Sequence, residues 1–250
     1  LSIDIRTIAT GSKGNCYLLT NSRGEVLILE CGIPWKKIAE AIQWNLSKVV
    51  GCCISHEHGD HARAVNDIRN HLIPIYCSQG TAQKLGLEQS MLFRRVGHKF
   101  AGCHAHHFFI SAIPAIHDAA EPLIFIIREW DGDANEDGDV ILFATDTEFI
   151  PYRLRGITKM MVEANYNFDY INESLVKGEL IKARKNRTVK THMEIGTLEA
   201  WLEEEKKIGG LDLLSEVHLI HVSKQNGNPK EFIRQIQRIT GVPVYCEGGR

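Results

Sequence analysis

Ser55-His56-Glu57-His58-Gly59-Asp60-His61 closes an almost continuous apolar run, Lys48 to Ser55, that reads as a fully buried strand. Four ligand-type side chains fall within six residues at the mouth of a loop. An extended segment sends His56 and His58 to the same side, so two imidazoles can reach one metal ion. Gly59 permits a tight turn, after which Asp60 and His61 can point toward a second ion. A set made of imidazole and carboxylate suits zinc, manganese or iron rather than calcium or magnesium. The position after a buried strand is also where loops carry sites on a rigid frame.

On the N-terminal side of this motif, Ile3 to Thr7 alternates, and Cys16 to Leu19 and Val26 to Leu29 flank the turn signal Asn21-Ser22-Arg23-Gly24. An amphipathic helix starts at Trp35, with Ile38, Ala39 and Ile42 on one face. On the C-terminal side a helix is expected from His61 to about Asn70, then a strand from Ile73 to Cys77. A further helix is capped by Ser78. Strands return at Phe108 to Ile116, Leu123 to Ile127 and Val140 to Ala144. Asp131, Asp133 and Asn135 have the spacing of a calcium loop. Glu136 stands where that loop needs Gly, however, and Leu142 where it needs its closing Glu, so Asp131 to Asp139 reads as a solvated hairpin loop.

The last third gives a strand from Lys159 to Glu163, helices around Ile171 to Lys185 and Glu194 to Lys207, and a strand from Glu216 to His221. Asn228-Pro229-Lys230-Glu231 is a helix start, with Phe232, Ile233, Ile236 and Ile239 as its buried stripe, and Val242 to Cys246 is a final strand. The order is β-rich, α/β, β-rich, α/β. Two similar halves of this kind suit a sandwich of two sheets with helices outside. No linker divides the chain, so a single domain over 1–250 is expected.

Composition narrows the function. The 250 residues include 44% hydrophobic and 24% charged side chains, an ordinary globular balance that excludes disorder as the main state. Lys plus Arg is 29 against Asp plus Glu at 31, so basic surface must be local. Local runs occur at Arg94-Arg95, Lys99, Arg153, Arg155, and Lys182-Arg184-Lys185-Arg187-Lys190; the last lies just before His192 and could carry a phosphate backbone toward the metal ions, although the commoner meaning of such a run is a solvated helix face. No apolar run approaches the roughly 18 residues of a membrane span, and no signal-peptide pattern is read. Seven cysteines without a C-x-x-C pair read as small buried thiols in a reducing cytoplasm. The 12 histidines are the unusual count. His104 and His106 share the spacing of His56 and His58, but no carboxylate partner follows, and Phe108 continues an edge strand. His71 and His98 read as surface residues.

The His-x-His-x-Asp-His segment resembles the metallo-β-lactamase superfamily, and within it the YycJ-like (WalJ-like) exonuclease and hydrolase branch, related to transfer-RNA 3′-processing nucleases. Further segments carry the resemblance along almost the whole chain. They are Thr10-Gly11-Ser12-Lys13-Gly14-Asn15-Cys16, Leu27-Ile28-Leu29-Glu30-Cys31-Gly32, Ile116-His117-Asp118-Ala119-Ala120-Glu121-Pro122, Phe143-Ala144-Thr145-Asp146-Thr147, and His218-Leu219-Ile220-His221-Val222-Ser223 with Asn226. The resemblance implies a four-layer αββα sandwich of two mixed sheets with helices outside. It also implies a centre of two divalent metal ions, zinc or manganese, with iron as a further candidate. By position His56, His58 and His117 would hold one ion, Asp60, His61 and His221 the other, and Asp146 would bridge both. His218 and His221 lie three apart on a strand and face opposite sides; His221 is preferred because it ends the apolar run.

The implied activity is that of a metal-dependent hydrolase, a phosphodiesterase or nuclease on DNA or RNA, exonucleolytic in this branch, using a metal-bridging hydroxide. Asp60, Glu163 and His192 are the expected catalytic residues. Met161-Val162-Glu163-Ala164-Asn165 and Thr191-His192-Met193-Glu194 resemble the segments that supply a Glu–His pair, with a His that opens a helix acting as general acid. A helix-terminal His without catalytic work is the competing reading of His192. Nucleic acid or another phosphodiester is the expected partner, and no membrane. Two alternatives stand beside it: a hydrolase of small substrates (a cyclic nucleotide, thioester or lactone), and a non-catalytic binding protein that keeps the fold. The chain departs from the branch at Glu30, where Asp is usual, at Tyr166, where His is usual, and at Thr191 and Met193, where Gly and Leu are usual.

Overall fold

Strand β4 (Val49–Cys53) is apolar at every position, and such a strand is stable only with neighbours on both edges and cover on both faces. In the computed structural model, which describes residues 2–97, 102–132 and 138–246, it lies between β3 (Val26–Leu29) and β5 (Ile75–Cys77), parallel to both. Gly51 is required there, because a Cβ would come within 2.5 Å of the Tyr76 ring.

The chain divides into two compact units, Leu1–Pro114 with Ala119–Val140, and Ala115–Asp118 with Ile141–Arg250. In the first unit β1 (Asp4–Ala9), β2 (Cys16–Thr20), β3, β4, β5 and β6 (Phe93–Arg95) lie side by side in chain order. The first three are antiparallel hairpins and the last four are parallel. Helices α1 (Trp35–Ala41), α2 (Gly59–Ala62), α3 (Val65–Asn70) and α4 (Gln79–Leu85) connect them. Ile28, Ile38, Cys52, Ile54, Ile68 and Ile75 share one core. The same unit holds the antiparallel strands β7 (Cys103–Ala105), β8 (Phe108–Pro114) and β9 (Leu123–Glu129).

The expected helix from His61 is in fact two. Ala64 leaves helical geometry because its N–H donates to the Cys31 carbonyl at 2.9 Å instead of continuing the helix ladder. Asp133, Asn135 and Glu136 of the loop read as a hairpin lie outside the described residues.

In the second unit β10 (Val140–Ala144), β11 (Lys159–Glu163), β12 (Glu216–Ile220) and β13 (Val244–Cys246) are all parallel. The expected helix over 171–185 is also two, α5 (Phe168–Val176) and α6 (Lys182–Thr191). Gly178, at φ +72°, turns the chain between them, and the N–H groups of Glu179 and Leu180 both donate to the Ser174 carbonyl. Helices α7 (Ile195–Lys207) and α8 (Pro229–Thr240) follow and pack together, α8 starting at the Asn228 cap and Pro229 as its sequence requires. Among the described residues no helix is long and apolar enough to cross a membrane.

Candidate metal centre

The first unit supplies its four ligand-type residues from one loop. His56 and His58 do fall on one side, with His56 Nε2 and His58 Nδ1 3.1 Å apart, and the His61 ring lies 4.1 Å from the His56 ring. Asp60 Oδ2 is 3.6 Å from His61 Nε2. The backbone of this loop is clamped from the N-terminal segments. Asn15 N donates to the Asp60 carbonyl and Cys31 N to the His61 carbonyl, each at 2.8 Å. The approach at Gly32 is so close that a Cβ would sit 1.6 Å from the Asp60 carbonyl oxygen, so only glycine fits.

Behind the loop lies Glu30, fully buried at φ +61°. Its carboxylate accepts from Ser55 N at 3.1 Å and stands 3.5 Å from His61 Nδ1. The extra methylene relative to Asp is thus accommodated, and the carboxylate still reaches a ligand-type histidine from behind.

The second unit gathers residues from distant parts of the sequence. His117 lies in a short segment tied to the stretch after β10: Ile116 N donates to Thr147 Oγ1, and Glu148 N to the Ile116 carbonyl, both at 2.9 Å. Asp146 and His221 follow β10 and β12 and adopt positive φ of 45° and 54°, a conformation that costs a non-glycine residue roughly 1 kcal/mol or more. The two carboxylate oxygens of Asp146 face different imidazoles. Oδ2 stands 3.7 Å from His117 Nε2, and Oδ1 stands 3.5 Å from His221 Nε2. His117 Nδ1 is taken by the Thr191 carbonyl at 2.8 Å, which leaves Nε2 as the atom turned toward Asp146.

Glu163 is the hub of this set. It is fully buried at the end of β11, and each of its oxygens accepts more than once. Oε1 takes His192 Nδ1 at 2.8 Å, His221 Nδ1 at 2.9 Å and Asn165 Nδ2 at 3.2 Å. Oε2 takes the backbone N–H groups of Thr147 and Met193, both at 3.2 Å. Burial alone would raise the Glu163 carboxyl, but the charge of His192 and the hydrogen bonds from His192 and His221 outweigh it and hold the group below its usual range. Burial likewise works against protonation of His192, and the charge and hydrogen bond of Glu163 more than offset it, so that imidazole is raised. At His117 burial wins, and the group is lowered despite Asp146. With Nδ1–H given to Glu163, His192 and His221 each turn Nε2 away from it, and His221 Nε2 faces Asp146 Oδ1. Ligand atoms of Asp146, Glu163, His192 and His221 all lie within 4.8 Å of one another.

His192 differs from its expected place. It does not open a helix; it is the extended residue that ends α6. Tyr166 is buried in an apolar cluster with Ile171 and Leu180. His218 is buried and stacks on Tyr245 at 5.1 Å, away from this set. His104 lies on strand β7 against Phe109 and Trp130, and the His106 and His107 rings both approach Glu25 Oε1. His71 stacks on Trp35, while His98 and Lys99 lie outside the described residues. Asn15, Ser55 and Thr191 stand inside the sequence segments that carry the motifs, but no sequence signal assigns them a role; their contacts with Asp60, Glu30 and His117 do.

Carboxylate and imidazole side chains converging in this way form a metal-binding set of the kind metal-dependent hydrolases use. The chain belongs to the metallo-β-lactamase superfamily, whose family model matches residues 9–148. It is similar, at 23% identity over 94% of this chain and 87% of the relative, to a Bacillus anthracis protein named exodeoxyribonuclease YycJ. The superfamily resemblance of the sequence motifs is thereby borne out. Among solved structures, the metallo-β-lactamase fold protein YhfI from Bacillus subtilis aligns with a TM-score of 0.69 at 15% identity, over 98% of this chain and 95% of that one. A diphosphatase from the PhnP family aligns with a TM-score of 0.65 at 14% identity, over 97% and 93%. The fold is the expected one, two mixed sheets with helices.

Proposed function

We propose that this protein is a dinuclear metal-dependent phosphodiesterase acting on nucleic acid, an exonuclease in the manner its Bacillus anthracis relative is named for, with residues 1–250 working as one domain. The observation that carries the reading is Asp146, whose two oxygens face two separate imidazoles, as a carboxylate shared by two ions requires. His56, His58 and His117 would hold one ion, and Asp60, His61 and His221 the other; zinc or manganese suits these donors, with iron as a further candidate. Two such ions supply Lewis acidity and a water of lowered pKa.

The chain's own residues do the rest. Glu163 fixes the tautomers of His192 and His221, so each Nε2 has one defined role. His221 Nε2 would be a ligand. His192 Nε2 carries a proton when the ring is charged, and Glu163 stabilises that form. His192 therefore donates the proton to the departing alkoxide oxygen and recovers it from solvent. Asp60 would orient the nucleophile. The seven free cysteines support a cytoplasmic, reducing location.

Digestion of end-labelled single- and double-stranded DNA and RNA with added manganese or zinc tests the reading, beside bis-p-nitrophenyl phosphate as a generic diester. Nucleic-acid cleavage that His58→Ala abolishes is the expected result. Turnover of the small diester alone transfers the site to the small-substrate class, and no turnover of either removes the reading.

A further inference from the structure

Helix α6 breaks the rules that stabilise helices. Its sequence, Lys182 to Thr191, carries five cations and no acid. Lys182, Arg184 and Lys185 crowd the N-terminal half, the end where the helix dipole disfavours positive charge. No side chain caps it: the N-cap position is Ile181, which is 69% exposed. Like charges three and four residues apart each cost a few tenths of a kcal/mol. By contrast α8 has an Asn cap, Pro at its first position, Glu231 in its first turn and a Gly stop. A helix built against its own stability invites a functional explanation.

The cations divide by what they touch. Lys185 is spent on packing, since it bonds Asn172 of α5 and lies 5.5 Å from the centre of the Phe168 ring. Arg184, Arg187 and Lys190 follow at three-residue steps and form one exposed stripe. The last turn of that stripe is keyed to the metal set at two points. The Thr191 carbonyl holds His117 Nδ1. Arg187 Nε donates to Asp118 Oδ2 at 2.9 Å, and its Nη2 lies 3.5 Å from Oδ1. Asp118 directly follows His117 and lies 3.3 Å from its Nε2. An exposed ion pair adds little stability. What this one does is hold a guanidinium, 63% exposed, one residue away from a metal ligand. A planar guanidinium fixed on one edge is suited to recognising a phosphate.

We propose that α6 is a phosphate track for a single-stranded polynucleotide. Arg187, oriented by Asp118, takes a phosphate beside the scissile one, and Arg184 and Lys190 take phosphates farther along. This rests on the phosphodiesterase reading and names how that site tells a strand from a small diester.

Binding of a short fluorescein-labelled oligodeoxythymidylate with cleavage-resistant phosphorothioate linkages, followed by anisotropy across a salt series, tests the track without needing turnover. The parent is expected to bind with a steep salt dependence. In the Arg184→Ala/Arg187→Ala/Lys190→Ala variant the log–log slope should be smaller by about 2, near 0.7 for each lost single-strand contact. Arg187→Lys keeps the charge without the planar fit, and should keep the parent's slope while binding more weakly. Lys185→Ala, a packing change, should lower thermal stability and leave the slope alone. A parent that does not bind the oligonucleotide, or a triple variant with the parent's slope, overturns the track, and an Arg187→Lys variant identical to the parent overturns the oriented contact. Hydrolysis of bis-p-nitrophenyl phosphate, measured in parallel, reports on the phosphodiesterase reading separately.

Discussion

Each unit places one buried glutamate behind its ligand-type histidines, and the two glutamates carry very different loads. Glu30 takes one backbone N–H and stands 3.5 Å from one imidazole. Glu163 takes two imidazoles, one amide and two backbone N–H groups. The difference follows from chain connectivity. His56, His58, Asp60 and His61 are covalent near-neighbours whose backbone is already clamped through Asn15 and Cys31. Asp146, His192 and His221 come from three separate connections after parallel strands, and Glu163 ties those connections together through Thr147 N, His192 Nδ1 and His221 Nδ1. A contiguous motif is positioned by its backbone, whereas a dispersed one needs a side chain at its centre.

The largest effect that sharpens this contrast is expected at Asp146. Asp146→Ala removes the carboxylate facing both His117 and His221, and diester hydrolysis should fall by about 10³-fold or more, because that charge acts in a buried site. Glu163→Gln comes next. One of its oxygens becomes an NH₂ group facing donors, so unfolding free energy of the metal-free protein should drop by about 3 kcal/mol. Activity should fall roughly 10²-fold. Denaturant melts and steady-state rates check both figures.

Glu30→Gln should cost far less, about 1 kcal/mol and at most about tenfold in rate. Equal losses at Glu30 and Glu163 would break the comparison. The smallest expected effect concerns the interior of the first unit. Burial lifts the thiols of Cys16 and Cys53 well above their usual range and Cys77 to about 12, while a hydrogen bond with Cys31 and burial lift Cys52. Native alkylation should therefore label Cys103 and Cys246 and spare the five buried cysteines, as mass spectrometry of digests would record. Labelling of Cys52 or Cys53 at the same rate would show that the clamp behind the loop opens.

The same contrast explains what could be read from the sequence. Strand β4 and its loop were legible because apolar continuity and ligand spacing are local properties. Asp146 and His221 were legible as residues that end apolar strands, with the family resemblance supplying their roles. Their positive φ was not legible, since neither is a glycine. Two helix boundaries were misplaced for different reasons: the Cys31 carbonyl, distant in sequence, takes the Ala64 N–H, whereas Gly178 makes a local stop at which the Ser174 carbonyl takes two N–H groups. The contacts of Thr191 and Asn165 depend on where other elements bring His117 and His221. Arg187 was visible only as one cation in a basic run, because its meaning lies in its contact with Asp118.

Metal content per chain, measured by elemental analysis after equilibration with manganese or zinc, reads directly whether the protein holds two ions. About two ions are expected in the parent, about one in His58→Ala and less than one in Asp146→Ala, because only the last residue would serve both positions. A parent holding less than about one ion, or an Asp146→Ala variant holding as many as the parent, would contradict this expectation.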